Sequence, residues 1–202
     1  MELIFKTADG HGLGVNNTVI LDTSPFFVNA LNHSHIIDVY IESNSYQLQS
    51  SQSQYLKNFS QVARSLNYAP YIYVRKSDWA NPLRLWLLEE LVHSVIQFNL
   101  KHSDTDFDGI LLDIQPCELP ASNEDLYFKN CLIQYINTLE QEKIRINTYN
   151  KNYNKNFKLK IVMPRQLTRF FVEEAALIYE RLTNSVDQVI VVEYLQGKCK
   201  NE

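Results

Sequence analysis

FDGILLDIQP, Phe107 to Pro116, lies just past the middle of the chain and reads as a buried strand that ends in polar residues. Successive side chains of a strand alternate between faces, so Leu111, Asp113 and Gln115 share one face and Ile110, Leu112 and Ile114 share the other. The all-aliphatic face suits packing against helices. The face carrying Asp113 then points inward, and an inward carboxylate is costly unless it is paired or hydrogen-bonded. Asp113, near the C-terminal end of an apolar strand, is therefore placed for function. The alternative is a structural aspartate bonded to a neighbouring strand.

Outward from this stretch, short apolar runs alternate with amphipathic ones. TVILDT (Thr18 to Thr23), IIDVYIES (Ile36 to Ser43), YIYV (Tyr71 to Val74), LKIVMP (Leu159 to Pro164) and DQVIVVEYL (Asp187 to Leu195) read as further strands. Helical segments separate them. One starts at Pro25, one carries Tyr55, Phe59, Val62, Ala63 and Leu66 at helical spacing, and one opens at Asn81-Pro82. Another follows an N-cap at Ser122 or Asn123, and the last is FFVEEAALIYERLTNS.

A repeating βα order with β-branched strands implies an α/β fold whose strands pair in parallel and are buried on both faces. An open doubly wound sheet and a (β/α) barrel both satisfy it. No glycine-rich loop follows the first strand, and the chain has five glycines in all, so a dinucleotide-binding fold is unsupported. A complete TIM barrel takes about 250 residues. Six βα units in 202 residues thus imply a TIM-barrel-like fold that is shortened or incomplete. The expected division is an N-terminal segment, 1–17, and one barrel domain, 18–202.

The strand motifs favour the barrel. Asp108, Gly109, Asp113, Gln115 and Pro116 resemble the D-G-x-D-x-D-x-E strand of the chitinase-like glycoside hydrolases of family 18 and their bacterial relatives. SDWANP (Ser77 to Pro82), FN (Phe98-Asn99), LP (Leu119-Pro120), IVMP (Ile161 to Pro164) and VVEYLQG (Val191 to Gly197) are similar to the same relatives, in order, over roughly residues 18 to 197. The resemblance implies a site at the C-terminal ends of the strands. There, the last acidic residue of the motif protonates the leaving oxygen. The aspartate before it orients the substrate's N-acetyl group, and a tyrosine from the sixth strand, here Tyr194, points in. The acid position holds Gln115, whose amide has no proton of useful acidity, so general-acid catalysis of about 10²–10⁴-fold is lost there. Leu111 replaces the first inner aspartate, and Leu195 stands where an aspartate usually follows the tyrosine. Asp113, Gln115 and Tyr194 are the expected catalytic-position residues of a glycosidase-like barrel that binds a carbohydrate, N-acetylated in the resembled family, with hydrolysis weak or lost. Two alternatives stand beside it: an active hydrolase using Glu42 or Glu118 as its carboxylate, and a non-catalytic interaction protein on the same scaffold.

Other residues are candidates for binding substrate. Tyr40 and Glu42 share a strand face, with Glu42 at the rim. Trp79 offers an aromatic face to the C–H face of a pyranose, or covers the barrel top. Glu118 sits on a loop after the central strand, and Arg165 follows the fifth strand, where it suits an anionic substituent or a pair with Asp113. The tyrosine-rich basic run Glu142 to Lys160 reads as a solvated loop between a helix and a strand.

A net charge of −4 argues against a dedicated nucleic-acid binder. No apolar run approaches the ~18 residues of a membrane span. The N-terminus lacks a basic region followed by an apolar one, so no signal peptide is expected in this chain; the compartment is left open, extracellular for a mature form and cytoplasmic otherwise. Cys117, Cys131 and Cys199 match no zinc or redox spacing, and neither a metal nor a cofactor is expected. Oligomeric state is left open.

Overall fold

In a computed structural model, the structure describes residues 4–7, 12–14, 36–50, 53–76, 79, 81–114, 125–164 and 176–192. The chain divides into two compact units, residues 1–74 with 91–111 and residues 75–90 with 112–202. The boundary passes through two strands and one helix, and each unit is a piece of sheet flanked by helices.

The first unit holds β1 (Ile4–Thr7), β2 (Gly12–Gly14), β3 (Ile36–Glu42), β4 (Ala69–Arg75, to Val74) and the opening of β5 (Gly109–Asp113), in the order β2-β1-β3-β4-β5. β3 and β4 pair in parallel with Tyr40 opposite Tyr71 and Glu42 opposite Tyr73. β1 lies antiparallel to β2 and to β3, so one edge of β3 meets β4 and the other meets β1. Within residues 1–17, β1 and β2 are four and three residues long, IFKT and GLG, too short to leave a periodic signal. The strand expected at Thr18 to Thr23 and the helix after Pro25 lie outside the described residues.

Helices of this unit follow their apolar spacing. Helix α1 (Ser45–Gln49) opens with a capping box: Asn44 Oδ1 accepts from the Gln47 N–H at 3.0 Å, and Gln47 Oε1 accepts from the Asn44 N–H at 3.1 Å. Helix α2 (Ser53–Ser65) buries Leu56, Phe59 and Ala63. It ends at Asn67, whose φ of 61° is the left-handed turn that asparagine tolerates at a helix end, and the Tyr68 N–H closes back on the Ala63 carbonyl at 2.9 Å. Helix α3 (Trp86–Lys101) contributes its 91–101 portion here, with Leu91, Val92 and Val95 fully buried.

Asn99 ties the end of α3 to the start of β5. Its Nδ2 donates to the Phe107 carbonyl at 2.9 Å, and its Oδ1 accepts from the Phe107 N–H at 2.8 Å. Phe107 stacks on Phe59 and meets Phe98 at a tilt, with ring centroids 6.4 and 5.4 Å away. One turn lower, Arg64 donates through Nε and Nη2 to the Asp106 carbonyl. It pairs with the carboxylates of Asp106 at 2.7 Å and Asp108 at 3.0 Å.

The second unit holds the end of β5, β6 (Lys158–Pro164) and β7 (Gln188–Val192), in the order β5-β6-β7, with β6 and β7 parallel. A 3₁₀ turn (Pro82–Arg84), capped by Asn81, leads into the first turn of α3. Helices α4 (Asp125–Tyr153) and α5 (Ala176–Asn184) complete it, joined by the Arg181 guanidinium on the Glu140 carboxylate at 2.7 and 2.9 Å. The run after Glu142, expected as a loop, is helical as far as Tyr153. It contains neither glycine nor proline, and Leu139, Glu142, Ile146 and Tyr149 prolong a buried stripe at three- to four-residue steps. Asn154, at φ 50°, ends it. The Asn99 device recurs here: the Asn150 side chain donates to the Phe157 carbonyl at 2.9 Å and accepts its N–H at 2.8 Å, just before β6.

The chain is therefore a mixed α/β protein with parallel strands, as the βα order implies. No helix among the described residues is long and apolar enough to cross a membrane.

Candidate functional site

β5 is buried along its whole length, and Asp113 is its last residue. Leu112 and Ile110 are fully buried on one side of the strand, which sends Asp113 to the other. The Asp113 side chain is 7% exposed, and its Oδ2 lies 3.8 Å from Nε of Arg75, the last residue of β4. The Arg75 side chain is 49% exposed. An acid under a cation at the C-terminal ends of parallel strands matches the end where α/β folds place their chemistry. Tyr135 of α4, itself buried, feels the same carboxylate. Its burial first, and then the negative charge of Asp113, hold the phenol above its ordinary range and therefore neutral.

In the first unit, Tyr40 is fully buried and donates its hydroxyl to Asp38 Oδ2 at 3.1 Å. Burial, then the Asp38 charge and hydrogen bond, push its phenol far above the ordinary range. Its ring lies 5.4 Å from that of Tyr71, and Tyr73 beside them is also buried. Glu42, one step further along the same face, is half-buried at the strand end. Tyr40 is thus held within a tyrosine-filled face and Glu42 sits at its rim.

Trp79 is buried, 7% exposed. Gln115, Glu118, Arg165 and Tyr194 lie outside the described residues. Among the described residues, Asp113 has Arg75 as an ion partner. Asp108, the first residue of the family-like motif, stands at the opposite, N-terminal end of β5. Burial raises its carboxyl pKa even against the nearby Arg64 charge, and its role there is to anchor the strand.

Two residues of the second unit escaped the sequence reading. Tyr135 sits in a helix whose pattern gives no hint of a strand-end carboxylate beside it. Lys160, inside LKIVMP, is almost fully buried between the buried Leu159 and Ile161 of β6. A lysine within an apolar strand run was the available signal, since a buried ammonium demands a compensating group. Among the described residues, no group of three or more His, Cys, Asp or Glu is placed to hold a metal ion.

Comparison of the chain with protein-family models, with curated proteins and with solved structures gives no match.

Proposed function

From the strand-end pair of Asp113 and Arg75, we propose that the chain is a glycosidase-like protein on an incomplete (β/α) barrel. It binds a carbohydrate at the C-terminal ends of its parallel strands, and hydrolysis is weak or lost because Gln115 holds the acid position. The observation that carries this reading is the buried Asp113 carboxylate at the last residue of β5, ion-paired with Arg75. A saccharide, rich in hydroxyl donors, is a ligand that such an acceptor serves well. The antiparallel β1 on the edge of β3 is in keeping with a barrel that does not complete its parallel ring.

Replacing Gln115 by glutamate is the test. Chromogenic N-acetylglucosamine oligomers should be cleaved by Gln115→Glu at least about 10²-fold faster than by the parent, the usual scale of a restored general acid. Appreciable hydrolysis by the parent would instead assign the acid role to another carboxylate, Glu42 or Glu118. No hydrolysis by either protein, together with no binding, would count against the glycosidase-like reading.

The buried Tyr40, Tyr71 and Tyr73 favour a second reading, a non-catalytic interaction protein on this scaffold, because a glycan cleft within the first unit would need their face open.

A further inference from the structure

We infer that Glu142 is a proton-operated latch: while its carboxyl is neutral, α4 holds the 3₁₀ turn (Pro82–Arg84) and the opening turn of α3 in place, and once the carboxylate is charged that segment opens. The inference is independent of what the strand end of Asp113 binds. Glu142 is buried in α4, which packs against the 3₁₀ turn, and its Oε2 makes no hydrogen bond among the described residues. Arg145 Nη1 lies 3.5 Å from that oxygen and donates to the Glu89 carbonyl of α3, also at 3.5 Å. One guanidinium is thus stretched between the two helices, at the outer limit of a hydrogen bond on each side. A charged Glu142 draws it off the Glu89 carbonyl, and the Glu89 carboxylate, carried on the segment itself, is repelled.

The segment is weakly anchored. From Asn81 to Glu90 only Leu85 and Leu88 are buried, whereas Leu83 and Trp86 are exposed. So few buried apolar side chains place it at the low end of local stability. Among the described residues, the charges that act on Glu142 are Arg145 on its own helix and Glu89 on α3. Of the charges on the elements around it, Arg181 of α5 is engaged by Glu140, and Lys143 by Asp187 ahead of β7. Glu90 of α3, Arg84 of the 3₁₀ turn, Glu180 of α5, and Lys158 and Lys160 of β6 complete them. In the closed arrangement burial foremost lifts the carboxyl from 4.5 to about 7, with Arg145 opposing and Glu89 assisting. An opened segment gives the carboxyl water and its ordinary value. Closure is therefore fully favoured below about 4.5, loses ground as pH rises towards 7, and levels off above.

Amide hydrogen exchange of the full chain, followed by NMR between about pH 5 and 8 and corrected for the intrinsic rate at each pH, tests the latch. The Leu83, Arg84, Leu88 and Glu89 amides report on it, since each donates a hydrogen bond within the segment. In the parent their protection should fall about tenfold or more over this range, with roughly 10²-fold as the limit set by the carboxyl's displacement. The fall should be insensitive to low urea, the mark of a local opening rather than of unfolding. Glu142→Gln should hold protection within about twofold, and Glu89→Gln, which removes the repelling charge, should shrink the fall. Circular dichroism establishes that each variant folds.

Equal protection across the range in the folded parent would overturn the inference. So would a fall that Glu142→Gln shares, or one whose urea dependence matches that of global unfolding.

Discussion

Asn99→Ala is expected to destabilise the protein by about 2–4 kcal/mol, read as a lower urea midpoint at unchanged slope. Asn99 is 1% exposed, and its amide makes both of its recorded hydrogen bonds to the backbone of Phe107. Truncation removes two bonds at once. It leaves a buried N–H and a buried carbonyl unsatisfied at the residue that leads into β5, where neither has water to replace the loss. Phe107 is also the ring between Phe59 and Phe98, so a loosened backbone there disturbs an aromatic core. Asn99→Asp sets a buried carboxylate oxygen against the Phe107 carbonyl and should cost at least as much. Gln97→Ala, two residues away on the exposed side of the same helix, should stay within about 0.5 kcal/mol. Asn150→Ala repeats the loss at Phe157 in a less buried setting and should cost less. An Asn99→Ala midpoint equal to that of Gln97→Ala would mean that the clamp is not formed in solution.

The second large effect is a dependence of stability on pH through Glu142. This residue of α4 is 1% exposed, and its Oε2 makes no hydrogen bond among the described residues. Arg145, one turn along the same helix, approaches it only to 3.5 Å, and Glu89 of α3 adds a like charge. Burial therefore dominates and lifts the carboxyl from 4.5 to about 7, with the Arg145 charge opposing and the Glu89 charge assisting. The folded chain thus holds a proton that the unfolded chain has already released. Stability from this group is fully present below about 4.5, falls as pH rises towards 7, and levels off above. A gap of about 2.5 at about 1.4 kcal/mol each sets the loss at roughly 3 kcal/mol at most. Glu142→Gln should flatten the profile and raise stability at pH 8, with little change at pH 4.5. Urea unfolding of both proteins across that range checks it. Parallel profiles for the two proteins would show that Glu142 ionises without penalty.

The strands and most helices were legible because apolar runs and helical spacing are local signals. β3 to β7 fall within a few residues of the segments read from Ile36, Tyr71, Phe107, Leu159 and Asp187 onwards. The β1–β2 hairpin was not, because strands of three and four residues have no periodicity to read. The extension of α4 to Tyr153 was hidden by asparagines and lysines, which signal a loop by composition, whereas Ile146 and Tyr149 bury the helix face. Asp113 could be found because alternation within one strand separates it from Ile110 and Leu112. Its ion partner could not, since Arg75 reaches it from another strand and register between strands is not written in either. Trp79 was equally open to two readings by residue type, and its side chain is buried.

The claim on which the rest depends is that the strand end carrying Asp113 binds a saccharide. Calorimetric titration of neutral and acidic oligosaccharides into the parent and into Asp113→Ala, both verified as folded, tests it most directly. Binding of at least one sugar to the parent, weakened about tenfold or more in Asp113→Ala, is the predicted result. Equal affinity for the two proteins, or no binding of either class by the folded parent, would contradict it.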